Sequence, residues 1–370
     1  MHDLWAPGGI ASYIGRLSRA QKDRGDEVIF FDSAPPSSDD VVHVSDARVL
    51  VRAAQHLKID VLHLHLVPPG DYPPEVPTVR TVHGHQPYCP SGTQFLARRG
   101  AACNRKDGPV ACTWGHLVDH CGSVRPLQLI DDFRRTRSER RLAQSTLLLA
   151  NSEFVRSRLL RAGYPADRVR VLRCPAPLPP PGRPELVTAG RPRVLFLGRL
   201  TPSKGVDWLL SALALTPSRI ALDIAGTGED ERRLRQIADG LDLSGRVAFH
   251  GWVPEPEIAD LCAAARAVVV PSLWHEPAGL VAVEAATYGR PVVASAVGGL
   301  PEMVVDGVTG LVVAPGDVNG LAEAIRRLCD DAELAARLGE NGRIRAHRDF
   351  TIEAHLAALD VAYQETITRA

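Results

Sequence analysis

The chain has 370 residues, 45% of them hydrophobic, with 43 acidic and 43 basic side chains. That length exceeds what one hydrophobic core usually serves, so two domains are expected. Balanced charge leaves no electrostatic footprint for nucleic acid; with no bilayer-length apolar run and no signal peptide read, a cytoplasmic protein is expected.

In chain order, Gly8 and Gly9 precede a helical pattern through Ile10, Tyr13, Ile14 and Leu17, and Val28 begins a strand. A glycine pair ahead of a helix lets a ligand approach the backbone; a plain tight turn needs the same pair. Only Met1 to Trp5 offers a strand before this loop. A helix over 49–57 follows, then VLHLHL (61–66) and VRTVH (79–83) read as strands. His83 closes the second of these, at the end where doubly wound folds place ligands, and is the candidate site residue of this half.

Residues 84–126 are expected to form one irregular insert of the first domain, covering the mouth of a cleft. It carries Cys89, Cys103, Cys112 and Cys121, with 13, 8 and 8 residues between them. Those gaps differ from the C-x2-C pairs of familiar zinc sites. A structural four-thiolate metal site, reduced buried thiols and loop disulfides all stay open. The stretch 127–144 is a charged helix whose arginines suit solvent, acidic lipid headgroups or an acceptor phosphate. Strand 147–150, helix 153–162 and strand 169–172 complete an N-terminal domain over 1–178, and the Pro/Gly-rich stretch 179–192 reads as a linker.

The second domain, 193–349, repeats strand, loop and helix. Lysine occurs only at Lys22, Lys58, Lys106 and Lys204, leaving 39 arginines, so the single lysine of the second half asks for a specific role. It lies with Arg199 in GRLTPSKG, after the strand beginning at Val194. An arginine fork and a lysine point charge together suit a diphosphate. Gly226 and Gly228 in LDIAGTGED, with the Trp252-Val253 loop, are read as a slot for a flat base. In VVVPSLWHEPAGLVAVEAATYGRPVVAS (268–295), Glu276 precedes a helix expected from about Ala278 to Tyr288, and Glu284 lies inside it. Backbone N–H groups at such a helix start, around Gly279 and Leu280, favour an anion. Two carboxylates beside it suit hydroxyl-rich groups at both ends of that anion. Read alone, Glu276 is equally a helix-start carboxylate favoured by the macrodipole. The polar residues collected at every strand end of this half tip the balance toward a site. A last helix, 350–370, with a stripe of Ile352, Leu356, Leu359 and Val361, is expected to pack back across the first domain.

Together these motifs resemble a retaining glycosyltransferase of the GT-B fold, family 4. The resemblance rests on GRLTPSKG, DIAGTGED, HGWVPEPEIADLCAAARAVVVPS and HEPAGLVAVEAATYGRPVVAS with its E-x7-E spacing, and in the first half on APGGIASYIGRL and TVHG. It implies an α/β chain of two Rossmann-like doubly wound domains facing each other across a cleft. It implies metal-independent, retaining transfer of a sugar from a UDP- or GDP-sugar to a hydroxyl of a glycan, lipid-linked or small-molecule acceptor. By this resemblance Glu276 holds hydroxyls of the donor sugar and Glu284 the ribose diol. Arg199, Lys204 and the N–H groups of Gly279 and Leu280 neutralise the diphosphate, and His83 sits near the sugar's 6-position. Ala278 stands where many relatives carry an aromatic residue. Two further readings are kept: an epimerase-like enzyme acting on nucleotide sugars, and a non-catalytic nucleotide-binding or scaffolding subunit. No nucleic acid partner is expected, and membrane contact is expected only as peripheral contact at the inner face.

Overall fold

The computed structural model describes residues 9–32, 41–67, 70, 75–177 and 190–369. Gly8, the strand expected at 1–5 and most of the linker lie outside the described residues. The first half contains α1 (Gly9–Asp23), β1 (Phe30–Asp32), β2 (Val41–His43), α2 (Ala47–His56), β3 (Leu62–Leu64), β4 (Thr78–Val82), β5 (Phe95–Leu96) and β6 (Ala101–Ala102). It continues with α3 (Pro109–Val118), α4 (Pro126–Leu142), β7 (Leu147–Ala150), α5 (Glu153–Arg161) and β8 (Val169–Val171). The second half opens with β9 (Arg193–Leu197), α6 (Val206–Ala214), β10 (Ala221–Ala225), α7 (Glu231–Gly240), β11 (Val247–Gly251), α8 (Glu255–Ala264) and β12 (Ala267–Val270). It closes with α9 (Leu280–Thr287), β13 (Val292–Ser295), α10 (Leu300–Met303), β14 (Gly310–Val313), α11 (Val318–Asp330), α12 (Ala332–Asp349) and α13 (Ile352–Arg369).

These elements form two compact units. The first holds the described residues up to Thr93, Arg105–Pro175 and those from Ile352 on; the second holds Gln94–Asn104 and Ala176–Thr351.

The first unit is built on a parallel sheet in the order β3-β4-β7-β8, with β1 and β2 as a separate parallel pair. The LLLA run of β7 is buried at all four residues, as a strand covered on both faces requires. Buried Arg80 on β4 pairs with buried Glu139 on α4 at 3.1 Å, tying that helix to the sheet. Helix α13 packs on α1 and β4. Leu359 and Ala362 supply its apolar face, while Arg24 grips Asp360 through two hydrogen bonds of 2.7 and 2.8 Å.

The second unit is a six-stranded, wholly parallel sheet in the order β11-β10-β9-β12-β13-β14. Two of its inner strands, AVVV and VVAS, are largely β-branched runs buried throughout. The strand order reverses between β9 and β12. In an open α/β sheet the crevice at that reversal, outside the carboxyl ends of the strands, is where ligands bind.

Two expectations need correcting. The insert 84–126 is not irregular throughout: β5 and β6 form an antiparallel ribbon, and α3 is a ten-residue helix opened by Pro109. Nor does it belong wholly to the first unit, since Gln94–Asn104 falls with the second. Phe95 and Leu96 are both buried, and a two-stranded ribbon has no core of its own in which to hide them. Helix α9 also starts two residues later than expected. Gly279 has φ +59°, a left-handed conformation that caps a helix and cannot sit inside one.

Candidate active site

The loops after β9 and β12 meet at the reversal of strand order, and glycine is what lets them touch. Gly205 has φ +67°, and a Cβ there would lie 2.0 Å from the Pro271 carbonyl oxygen. The Leu273 amide donates to the Ser203 carbonyl at 2.9 Å, stitching one loop to the other. From the next strand the Ser295 hydroxyl donates to the Ser272 carbonyl at 2.6 Å.

On this frame sits Glu276, 7% exposed. Its Oε1 accepts from Lys204 Nζ at 2.5 Å, Ser272 Oγ at 2.6 Å and Trp274 Nε1 at 2.9 Å. Lys204 Nζ also lies 5.2 Å from the centre of the Trp274 ring. Burial pushes the carboxyl upward, but the Lys204 charge and the three donors outweigh it and hold the group below its ordinary range. Glu276 is therefore an ionised carboxylate with a cation against it. Its main chain is clamped as well: the Gly299 amide donates to the Glu276 carbonyl at 2.7 Å. At Gly298, φ +59°, a Cβ would come within 2.3 Å of that same oxygen.

The other expected residues of this unit fall as follows. Arg199 is exposed on the loop that carries Lys204. Ala278 is buried, Gly279 caps α9, Leu280 opens it, and Glu284 is half-buried in its second turn. Gly226 and Gly228 lie where strand-end loops cross: added Cβ atoms would sit 1.8 Å from the Gly198 oxygen and 2.1 Å from the Leu200 oxygen. Packing of backbone against backbone thus demands both glycines, whether or not a base lies nearby. Trp252 is 66% exposed, and Val253 packs against the apolar core of the unit. The ribbon from the insert reaches this region too, with His275 Nε2 donating to Asn104 Oδ1 at 2.9 Å.

In the first unit Gly9 opens α1, and His83 directly follows β4. His83 Nε2 pairs with His65 Nδ1 at 3.0 Å. Burial, then the nearby Arg80 guanidinium, brings His83 down to about 3, so it is neutral at ordinary pH.

The metal expectation finds no support. Among the described residues no group of three or more His, Cys, Asp or Glu side chains is placed to hold an ion. Cys89, Cys103, Cys112 and Cys121 are half-buried thiols. The insert draws its order from backbone hydrogen bonds in a ribbon and a helix, which removes the reason for invoking a metal to order it.

Several residues of the site escaped the sequence reading. Ser272 and Trp274 sit inside the most informative stretch, yet nothing in their spacing marks them as partners of Glu276. Gly298 and Gly299 carried a usable signal, a glycine pair just beyond a buried strand, which is the sign read at the other strand ends.

Comparison with known proteins bears on the family and the fold. A family model described as Glycosyl transferases group 1 matches residues 183–345, and one described as Glycosyltransferase Family 4 matches residues 7–178. The chain is 39% identical over 186 residues to glycogen synthase of Mycobacterium tuberculosis, a match covering 46% of this chain and 45% of that protein. The chain spans about half the length of the curated relatives it matches. Sucrose-phosphate synthase from Thermosynechococcus elongatus superposes with a TM-score of 0.73 at 24% identity, over 98% of this chain and 94% of that one. HepE from Anabaena, solved with UDP-glucose, gives 0.69 at 21% identity over 98% and 97%. At these identities the two solved structures speak for a common fold.

Proposed function

The chain belongs to the GT-B glycosyltransferases of family 4, and on that premise we propose that it moves a sugar, with retention, from a nucleotide-diphosphate sugar to a hydroxyl acceptor. The observation that carries this reading is the ionised Glu276 against Lys204, at the strand-order reversal of the second unit. A diphosphate leaving group asks for fixed positive charge, which Lys204 and Arg199 supply, and for helix-start N–H groups, which Gly279 and Leu280 offer. A hexose asks for an acceptor of its hydroxyl protons, the role given to Glu276; Glu284 takes the ribose diol. His83, in the first unit, is given the sugar's 6-position. Gly226, Gly228, Trp252 and Val253 line the base side in this reading, and Ala278 the sugar side.

In the reaction the bond from the anomeric carbon to the phosphate oxygen breaks as the bond to the acceptor oxygen forms. The acceptor proton passes to the departing phosphate, and the nucleoside diphosphate leaves. Positioning and charge stabilisation carry the catalysis, so transfer is expected to survive EDTA. The names of the similar proteins, glycogen synthase and sucrose-phosphate synthase, favour a glycan or small-molecule acceptor, and HepE with UDP-glucose favours a UDP donor.

The test is the thermal midpoint of the protein against UDP-, GDP-, ADP- and dTDP-sugars, with Glu276→Ala alongside. A ligand at about 100 times its Kd stabilises the folded state by about 2.7 kcal/mol. One donor is expected to raise the midpoint, and by less in the variant. A flat response to all four would remove the support for a nucleotide-sugar donor.

A second part of the reading concerns peripheral contact with an acidic bilayer. Among the described residues no helix is long and apolar enough to cross a membrane. On α3, however, Val110, Trp114 and Leu117 recur at helical spacing and are exposed, Val110 to 86%. Val124, Leu127 (79% exposed) and Ile130 continue the apolar surface into α4, which the His116 and Phe133 rings, 6.5 Å apart, bring beside α3. Exposed Arg134, Arg135, Arg137 and Arg141 follow on α4. Apolar anchors beside arginines suit anionic headgroups, at about 1 kcal/mol per basic residue near the surface. The protein is expected to co-sediment with phosphatidylglycerol vesicles, less so at high salt or as Trp114→Ser/Leu127→Ser. Failure to sediment at low salt would dismiss the contact.

A further inference from the structure

Parallel strands covered on both faces are normally apolar on both, and β3 is not. Leu62 and Leu64 point into one core, so by the alternation of a strand His63 and His65 fall on the opposite face. Thr81 and His83 lie beside them on and just after β4. The result is a polar column between the sheet and two helices, α1 and α13. His63 pairs through Nε2 with Thr81 Oγ1 at 2.7 Å and through Nδ1 with the Tyr363 hydroxyl at 2.8 Å. His65 stacks on His63 with ring centres 4.2 Å apart. Tyr13 meets His65 and His83 edge-on at 5.7 and 5.2 Å.

Proton positions in this column are constrained. His355 Nδ1 faces the Arg173 carbonyl at 2.8 Å, which only accepts, so Nδ1 carries the proton. Its Nε2 must then accept from the Tyr13 hydroxyl at 2.9 Å. Between His65 Nδ1 and His83 Nε2 there is room for one proton, so the two neutral rings must hold the same tautomer, both protonated at Nδ1 or both at Nε2. Arg80 donates to the His65 carbonyl at 2.5 Å and fixes the backbone that carries that ring. Burial and the Arg80 charge both keep His65 and His83 neutral, so neither escapes this arrangement by taking a second proton.

We propose that His65 is a positioning residue for His83. Through the Nδ1 to Nε2 hydrogen bond it ties the tautomer of His83 to its own and holds that ring in place. The role rests on the reading of His83 as a site residue, but the device itself is readable without it. A neutral imidazole that is free to exchange tautomers offers its substrate a donor part of the time and an acceptor the rest. One pinned by a neighbour offers a single identity, a second-layer effect familiar from histidines that bind metals.

The experiment compares His65→Phe, which keeps a flat ring and loses the hydrogen bond, with His65→Asn, whose amide restores a polar group near the Nδ1 position. His83→Ala serves as the control, in the full chain. Two readouts are taken: UDP release from UDP-glucose, and the ring 15N shifts of His83. Wild-type His83 is expected to show one tautomer, and His65→Phe averaged shifts with kcat down about ten- to a hundredfold and donor KM nearly unchanged. His65→Asn should restore both readouts most of the way. A single unchanged His83 tautomer in His65→Phe would overturn the proposal, as would wild-type kcat in that variant while His83→Ala is inactive. Full activity in His83→Ala would instead overturn the role of His83, and with it any catalytic role of His65.

Discussion

Glu276→Gln is expected to lower transfer by about 10²–10³-fold, the usual cost of removing one preorganised polar contact to a reacting group. The side chain keeps its shape, and Ser272 and Trp274 still have an oxygen to donate to. What is lost is the charge that lets the group accept from sugar hydroxyls and that faces Lys204 at 2.5 Å. Lys204→Ala should be as inactive for a different reason, and less stable as well. It strands the Glu276 charge in a buried site, where removing one partner of an ion pair costs about 3–5 kcal/mol. Because the Lys204 side chain is still 20% exposed, the lower end of that range is expected. Steady-state kinetics with a denaturant titration of both variants separates the two effects. Near wild-type turnover in Glu276→Gln, with the fold intact, would remove this residue from the chemistry.

The second large effect is on acid stability, and it differs between the two units. His63, His65, His83 and His355 of the first unit are all held below the ordinary 6.5, in each case by burial first. Arg80 and the neighbouring histidines add repulsion for His63, His65 and His83; Tyr13, Tyr363 and Thr81 face the column without charge. The unfolded chain therefore binds more protons than the folded one once the pH falls below 6.5. Stability rises with pH across that window and is lost as pH drops from 6.5 toward 3. At pH 5, His83 alone accounts for a loss of about 2 kcal/mol, and the others act in the same direction. Glu276, held below its ordinary 4.5, acts in the same direction but in a lower window: its contribution is complete above 4.5 and fades as the pH falls below it. Amide hydrogen exchange followed against pH should show β3, β4 and α13 opening between about pH 6 and 4, before β9 and β12. Simultaneous opening of both sheets below pH 4 would refute this order.

The second unit was far more legible in sequence than the first. Most of its strands are short, largely buried runs followed by glycine or polar residues and then a helix, so its motifs are local. GRLTPSKG and the E-x7-E stretch could be placed at strand ends without knowing what they touch. What stayed hidden needed partners distant in sequence. Ser203 and Leu273 join across 70 residues, and His63 and Tyr363 across 300. No period or spacing announces such pairs. The histidine column was visible as letters in VLHLHL and TVHG, but its meaning depends on α13, read only as an apolar stripe. The four insert cysteines left metal, reduced thiols and disulfides open in sequence, because spacing alone does not show the ribbon and helix that separate them.

The path of the chain also limits what can be exchanged between relatives. The polypeptide passes between the units at Thr93, Asn104, Pro175 and Thr351, so the second unit is encoded in two separate pieces of the gene. A chimera cut at Ala176 would inherit one protein's Glu276 loop and another's residues 94–104, breaking the match between His275 and Asn104. Recombination that carries the ribbon along with the C-terminal half keeps that match; recombination at the Pro-rich boundary alone does not.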